Sequence, residues 1–372
     1  MTRNPASPWR HIDAILVGCT LALAAIGGLM IFSSTRGSAP GDLNVTYLTR
    51  QVAFVFAGLA AMAVVAAVDY RRVRDVAPAG YVGALALLAL VVSPAGSASK
   101  GTQAWFQLGS FQLQPSELSK VIVIVTLAAV VANWQADLDG RRLAMLLALA
   151  GLPMALIMMQ PDLGTTLVFV AITLGLLLVG GTPSRYLAVL AVLGIAMVFG
   201  VFHSGVLAEY QRCRLTVFID RSDGVCAARD AAYNVDQSEI AIGAGGPVGQ
   251  GLFQGTQTRL GIVPEQHTDF IFTAVGEELG FIGAGTVLAL FAIITWRIWR
   301  TAQLARDQLG TLICVGVLAM FVFQVFENVG MTMGIMPVTG IPLPFVSYGG
   351  SATIASFAAL GLVLNVHMRR FS

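Results

Sequence analysis

Along this chain of 372 residues, long unbroken apolar runs alternate with polar connections rich in glycine and proline. The hydrocarbon core of a bilayer needs about 20 apolar residues per helix. Runs of that order fall at about 12–33, 49–68, 76–92, 117–133, 143–159, 163–180, 185–203, 270–296, 309–333 and 350–367. They are continuously apolar, not alternating in the short segments of a membrane barrel. The pattern predicts an all-α, polytopic transmembrane bundle of about ten spans, a single domain over 1–372. A long loop at about 204–268 separates spans seven and eight. Most other connections are short, so a loop of that length is expected to carry function. The first run is long enough to span, and is expected to serve as the targeting signal without being cleaved. No internal repeat or separate soluble domain is visible.

Composition agrees: 56% of residues are hydrophobic and 11% charged, against about 25% charged in soluble domains, and the mean hydropathy is +0.78. A net charge of +2 argues against a nucleic-acid partner. Arg3, Arg10, Arg71, Arg72, Arg74, Arg141, Arg142, Arg185, Arg297, Arg300, Arg306, Arg369 and Arg370 collect on one side if the N-terminus is cytoplasmic, as short cytoplasmic loops favour Lys and Arg. Both termini are then cytoplasmic, and the long loop is extracytoplasmic. Cys19 and Cys314 fall within apolar runs and read as small core residues. Cys213 and Cys226 flank a polar stretch of the long loop, where a disulfide and two free thiols both remain open.

Four polar segments interrupt or border the spans, where ionisable groups are costly. The first joins Trp105-Phe106-Gln107-Leu108-Gly109 to Gln114-Pro115-Ser116-Glu117-Leu118-Ser119-Lys120. Pro115 suits a first helical turn, Ser116 is placed to cap near it, and Glu117 and Lys120 share a face. The plain reading is a cap with a local ion pair, but a lysine one turn into an apolar helix needs an anionic partner. The second, Gln160-Pro161-Asp162-Leu163-Gly164-Thr165-Thr166, reads best as a turn with Asp162 capping span six. The third, Pro264-Glu265-Gln266-His267-Thr268-Asp269-Phe270, leads into span eight, with Glu277 and Glu278 two turns on. Asp269 there is either an N-cap or a carboxylate placed to accept a proton from a sugar hydroxyl of a lipid-borne substrate. His267 has no second ligand at metal spacing. The fourth, Gly340-Ile341-Pro342-Leu343-Pro344-Phe345-Val346-Ser347-Tyr348-Gly349-Gly350-Ser351, predicts irregular backbone at membrane depth, tolerated only when buried in protein or lining a cavity. The glycine-rich stretch at 243–251 lacks the context of a nucleotide loop.

In order along the chain, LQPSELSK (113–120), QPDLGTT (160–166), IAIGAGG (240–246), PEQHTDFIF (264–272) and VTGIPLPFVSYGGS (338–351) resemble the SEDS family of bacterial envelope proteins (shape, elongation, division and sporulation), most closely its RodA branch. The resemblance covers essentially the whole chain. It implies a peptidoglycan glycosyltransferase of the inner (cytoplasmic) membrane that polymerises lipid II on the outer face during cell elongation, with Asp269 as the essential acidic residue and general base. The alternatives are a lipid II flippase, a scaffold without catalysis, and the division-type FtsW role. Arg50 and Lys120 are candidates to stabilise the pyrophosphate leaving group. Glu117 with Asp269 is the candidate pair for a divalent cation, Mg or Mn. Trp105, Gln114, Gln257, Thr268 and Ser347 complete the candidate substrate-binding set. Trp105 reads equally as an interfacial belt residue. The resemblance also implies a class B penicillin-binding protein as transpeptidase partner. The segment from Cys213 to Cys226 departs from the family pattern.

Overall fold

The computed structural model describes residues 11–36, 45–99, 102–109, 111–134, 139–203 and 230–370. The helices are α1 (Ala14–Thr35), α2 (Thr46–Ala67), α3 (Tyr70–Val92), α4 (Pro115–Asn133), α5 (Gly140–Met158), α6 (Leu163–Val179), α7 (Ser184–His203), α8 (Asp230–Gly245), α9 (Thr256–Leu260), α10 (Ile271–Gln303), α11 (Gln308–Thr332) and α12 (Gly350–Met368). Eight of these, α1 to α5 and α10 to α12, are long and apolar enough to cross a membrane, while Leu163–Val179 and Ser184–Ala196 are shorter apolar helices. The chain is a helical membrane bundle. Aspartate starts several helices: Asp13, Asp69, Asp139, Asp162 and Asp307 each accept from a backbone N–H of the first turn. Those N–H groups have no partner within the helix, so a short acidic side chain fixes where each helix begins.

α4, α11 and α12 form the buried centre, with α12 packed on α2 and α11 packed on α6 and α10. Lipid tails are as apolar as leucine, so helices associate through close fit, and small residues allow it. A Cβ at Gly316 of α11 would meet Ile124 of α4 at 2.6 Å, and one at Gly361 of α12 would meet the Met62 backbone oxygen at 2.8 Å.

The two ends of the bundle differ in chemistry. At one end Arg297 Nη2 lies 2.6 Å from Asp13 Oδ2, Tyr70 donates to Asp307 at 2.9 Å, and Arg369 donates to Ala66 O at 3.0 Å. The arginines of the short connections gather here. At the opposite end start α4, α6, α10 and α12, along with most of the singled-out motifs.

Two features of this end were not expected. The stretch before α4 is not plain loop: β1 (Ser97–Ser99), β2 (Thr102–Leu108) and β3 (Phe111–Leu113) form an antiparallel sheet in the order β1-β2-β3. Its pairing, Phe106 with Leu113 and Leu108 with Phe111, satisfies backbone groups that would otherwise be exposed at the membrane edge. The segment expected as a loop at 204–268 contains α8 and α9, and the Cys213 to Cys226 question falls outside the described residues.

Candidate functional site

Gln114 is the N-cap of α4 and Pro115 its first helical residue. Ser116 is not the cap: its hydroxyl is buried without a partner among the described residues. The Gln114 backbone N–H donates to Ser351 Oγ at 3.0 Å, tying α4 to α12, and its side-chain amide reaches Asp162 Oδ2 at 3.4 Å, tying α4 to α6. One turn into α4, Lys120 Nζ lies 2.8 Å from Glu117 Oε1, with side chains 2% and 3% exposed. The anionic partner this lysine requires is on its own helix. Asp162 caps α6 through Thr165 N at 2.9 Å and also accepts from Thr165 Oγ1 at 2.8 Å. Burial raises its carboxyl above the ordinary carboxylate range, the Thr165 bonds oppose that shift, and the Glu117 and Lys120 charges act on it in opposite senses.

The irregular chain between α11 and α12 runs beside these helix starts. A Cβ at Gly164, in the first turn of α6, would meet Ile341 Cγ1 and Thr339 O, both at 2.8 Å. Gly340 between them has φ +75, and a Cβ there would lie 3.3 Å from Asp269 Oδ2. This one turn of loop therefore touches the start of α6 on one flank and the Asp269 carboxylate on the other. Its shape is fixed from within and without. Leu343 N donates to Ser347 Oγ at 2.8 Å, and the buried Gln51 of α2 donates to Ser347 O at 3.3 Å. A Cβ at Gly27 of α1 would meet Val346 backbone atoms at 2.6 Å. Phe345 adopts a left-handed φ of 64, with its ring 5.5 Å from that of Phe321 and 5.1 Å from that of Phe357. Such strain persists only where the surroundings over-determine it.

Asp269 lies on the segment before α10. It is not the N-cap, a position held by Phe270 with no side-chain capping bond. Thr268 Oγ1 donates to Glu265 O and Oε2, each at 3.1 Å, closing a turn in which Glu265 has φ 54. Tyr348 N donates to His267 O at 2.9 Å, and the rings of Tyr47, His267 and Tyr348 pack at 5.0 to 5.7 Å. The Asp269 segment is thus locked to the 338–351 loop at several points.

Behind it α10 breaks at Gly280, where φ is 65 and ψ −164. The glycine-rich stretch at 243–251 enters the break. Gln250 N and Gly251 N donate to Glu277 O and Glu278 O at 2.9 and 3.1 Å, while Phe281 N and Ile282 N donate to Gly246 O and Pro247 O at 2.9 and 3.1 Å. Backbone groups freed by the break are thereby satisfied within the protein. Glycine is required because Gly249 and Gly280 approach backbone to backbone. The turned carboxylates then organise the neighbouring loop. Glu277 accepts from Gln257 N at 2.7 Å and Thr258 N at 2.9 Å at the start of α9, and Glu278 accepts from Ser33 Oγ at 2.5 Å.

The sequence model of the FtsW, RodA and SpoVE cell cycle proteins matches residues 13–371. The chain belongs to this family. In this SEDS chain the likeness extends to named relatives over nearly full length. It is 35% identical to the peptidoglycan glycosyltransferase MrdB of Escherichia coli K12, covering 100% of this chain and 98% of that protein. It is also 35% identical to the stage V sporulation protein E of Bacillus subtilis, over 98% of each. Among solved structures, RodA of Thermus thermophilus aligns with a TM-score of 0.71 at 30% identity, over 97% of this chain and 98% of that one. A chain from a study of the structural coordination of polymerization and crosslinking by a peptidoglycan synthase complex aligns with a TM-score of 0.81 at 31% identity, over 97% and 99%. The SEDS chain is RodA-like.

Of the residues singled out in the sequence, the structure gathers Gln114, Glu117, Lys120, Asp162, Ser347 and Asp269 around the starts of α4, α6, α10 and α12. Lys120 is buried and paired with Glu117 of its own helix. One Glu117 oxygen is spent on Lys120, and no group of three or more His, Cys, Asp or Glu among the described residues is set to hold a metal. Arg50 is exposed on α2, one residue before Gln51. Trp105 is half-buried in β2, and Gln257 serves α9 through its backbone. Sequence reasoning missed Gln51, Glu327 and Asn328. The signal for the last two was present: adjacent acid and amide inside the apolar run 309–333. A groove of ≈ 360 Å³ between α10 and α11 is lined by Leu288, Phe291, Val322, Phe326 and Val329, with no ionisable group in its lining.

Proposed function

We propose that this SEDS peptidoglycan glycosyltransferase polymerises lipid II, with Asp269 as general base, at the polar end of the bundle. The observation that carries the reading is the placement of the Asp269 carboxylate against Gly340, at the meeting of four helix starts. Chain growth requires the 4-hydroxyl of one sugar to attack the anomeric carbon of another. The proton leaves to a carboxylate as the new bond forms and the lipid pyrophosphate departs. A positioned base contributes roughly 10²–10⁴-fold to such a step. The leaving group is dianionic or more, and helix N-termini present unpaired N–H groups and positive partial charge to anions. α4, α10 and α12 begin here without a side-chain cap, and Arg50 adds an exposed cation at the start of α2.

The opposite, arginine-rich end then faces the cytoplasm under the positive-inside rule. Both termini lie on that side, and the polar end opens to the outer face of the inner membrane, where lipid II presents its sugars. A class B penicillin-binding protein is the partner that crosslinks the strands. This reading rests on the complex of polymerization and crosslinking in which the structural relative was solved.

Purified protein in nanodiscs, supplied with lipid II, is expected to yield glycan polymer on a gel. Translocation of lipid II across proteoliposomes without any polymer supports the flippase reading instead and contradicts this one.

A further inference from the structure

Within the apolar interior of α11, Asn328 is fully buried, at 0% exposure. Its Nδ2 donates two hydrogen bonds, each of 2.8 Å, to Asp269 O and to Ile341 O. Those carbonyls belong to the two chain segments that meet at Gly340 and the Asp269 carboxylate. Neither segment is helical at that point. Among the described residues Asn328 Oδ1 is buried with no partner, so the side chain is held by what its amide donates and not by what it accepts. A buried carbonyl oxygen without a hydrogen bond is a cost that an apolar side chain at this position would not carry.

We propose that Asn328 is a positioning residue for Asp269: one amide group, carried on a rigid helix, spans the Asp269 segment and the 338–351 loop and fixes the separation between them. The proposal rests on the assignment of Asp269 as base. Both hydrogens of the amide are used in one plane, so the two carbonyls are set relative to each other as well as to α11. A hydroxyl supplies one such bond and a methyl none. Shifting a catalytic group by about 1 Å costs on the order of 10²-fold in rate. Asn328 itself reaches no solvent.

The test is steady-state polymerisation of lipid II by full-length protein in nanodiscs, comparing wild type, N328A, N328S and D269N. Loss of positioning lowers kcat while substrate binding persists. N328A is therefore expected to lose on the order of 10²-fold in kcat with KM within about twofold of wild type. N328S, donating one bond, falls between the two. Wild-type kcat in N328A overturns the proposal. So does loss of lipid II binding in parallel with kcat, which marks general collapse of the site. Failure of both N328A and N328S to accumulate as monodisperse protein assigns Asn328 to folding and also overturns it. D269N separates this from the underlying reading: full activity in D269N removes the base, whereas an inactive D269N beside a fully active N328A removes only the positioning role.

Discussion

Replacing Lys120 with methionine isolates the energetic role of the buried pair on α4. Methionine keeps the unbranched stem and much of the volume, so the change removes a charge and leaves packing nearly intact. Glu117 is then left as a buried carboxylate, 3% exposed, without the ammonium that lay 2.8 Å away. Removing one member of such a pair costs roughly 3–5 kcal/mol, because the surviving charge keeps its desolvation penalty and loses the compensation. At about 2 °C per kcal/mol for a large chain, K120M is expected to lower the apparent melting temperature by roughly 6–10 °C. The double variant E117L/K120M removes both charges and is expected to recover most of that loss, since apolar replacements of buried ion pairs are often neutral or stabilising. The assay is thermal unfolding followed by intrinsic fluorescence in one detergent. A melting temperature for K120M within about 1 °C of wild type, corresponding to well under 1 kcal/mol, refutes the reasoning.

The loop that faces Asp269 gives a second outcome. G340A places a methyl 3.3 Å from Asp269 Oδ2 on a residue with φ +75, a conformation that costs a residue with a Cβ about 1–2 kcal/mol; normal accumulation with strongly reduced polymerisation is expected, and wild-type polymerisation contradicts it. Glu327 of α11 is fully buried, and its carboxylate faces the Thr339 hydroxyl, which has no other partner among the described residues. E327L leaves that buried hydroxyl unmatched and is therefore expected to destabilise by about 1–3 kcal/mol; a melting temperature equal to or above that of wild type sinks the reading.

How much of this was legible beforehand follows from the physics of each feature. Apolar runs report spans directly, because the bilayer imposes their length, and the start of α6 at Asp162 was readable because an aspartate before an apolar run satisfies free N–H groups. The partner of Lys120 was readable too, since Glu117 is one helical turn away. The sheet before α4 was missed because its strands are short and their pairing is a tertiary outcome. The 243–251 stretch was set aside as a weak nucleotide loop. Its actual work, filling the break at Gly280, depends on a contact between residues about 30 positions apart that no local pattern shows. Asn328 stands out as an amide within an apolar run, but its role was not legible, because its two acceptors, Asp269 and Ile341, lie on opposite sides of it in sequence.

The central claim is that the carboxylate of Asp269 removes the proton from the attacking sugar hydroxyl, and D269N in a lipid II polymerisation assay tests it most directly. Asparagine preserves shape and removes the base, so the variant is expected to insert, fold and bind lipid II as wild type does while polymerisation falls by roughly 10²–10⁴-fold. Polymer formed by D269N at the wild-type rate contradicts the account.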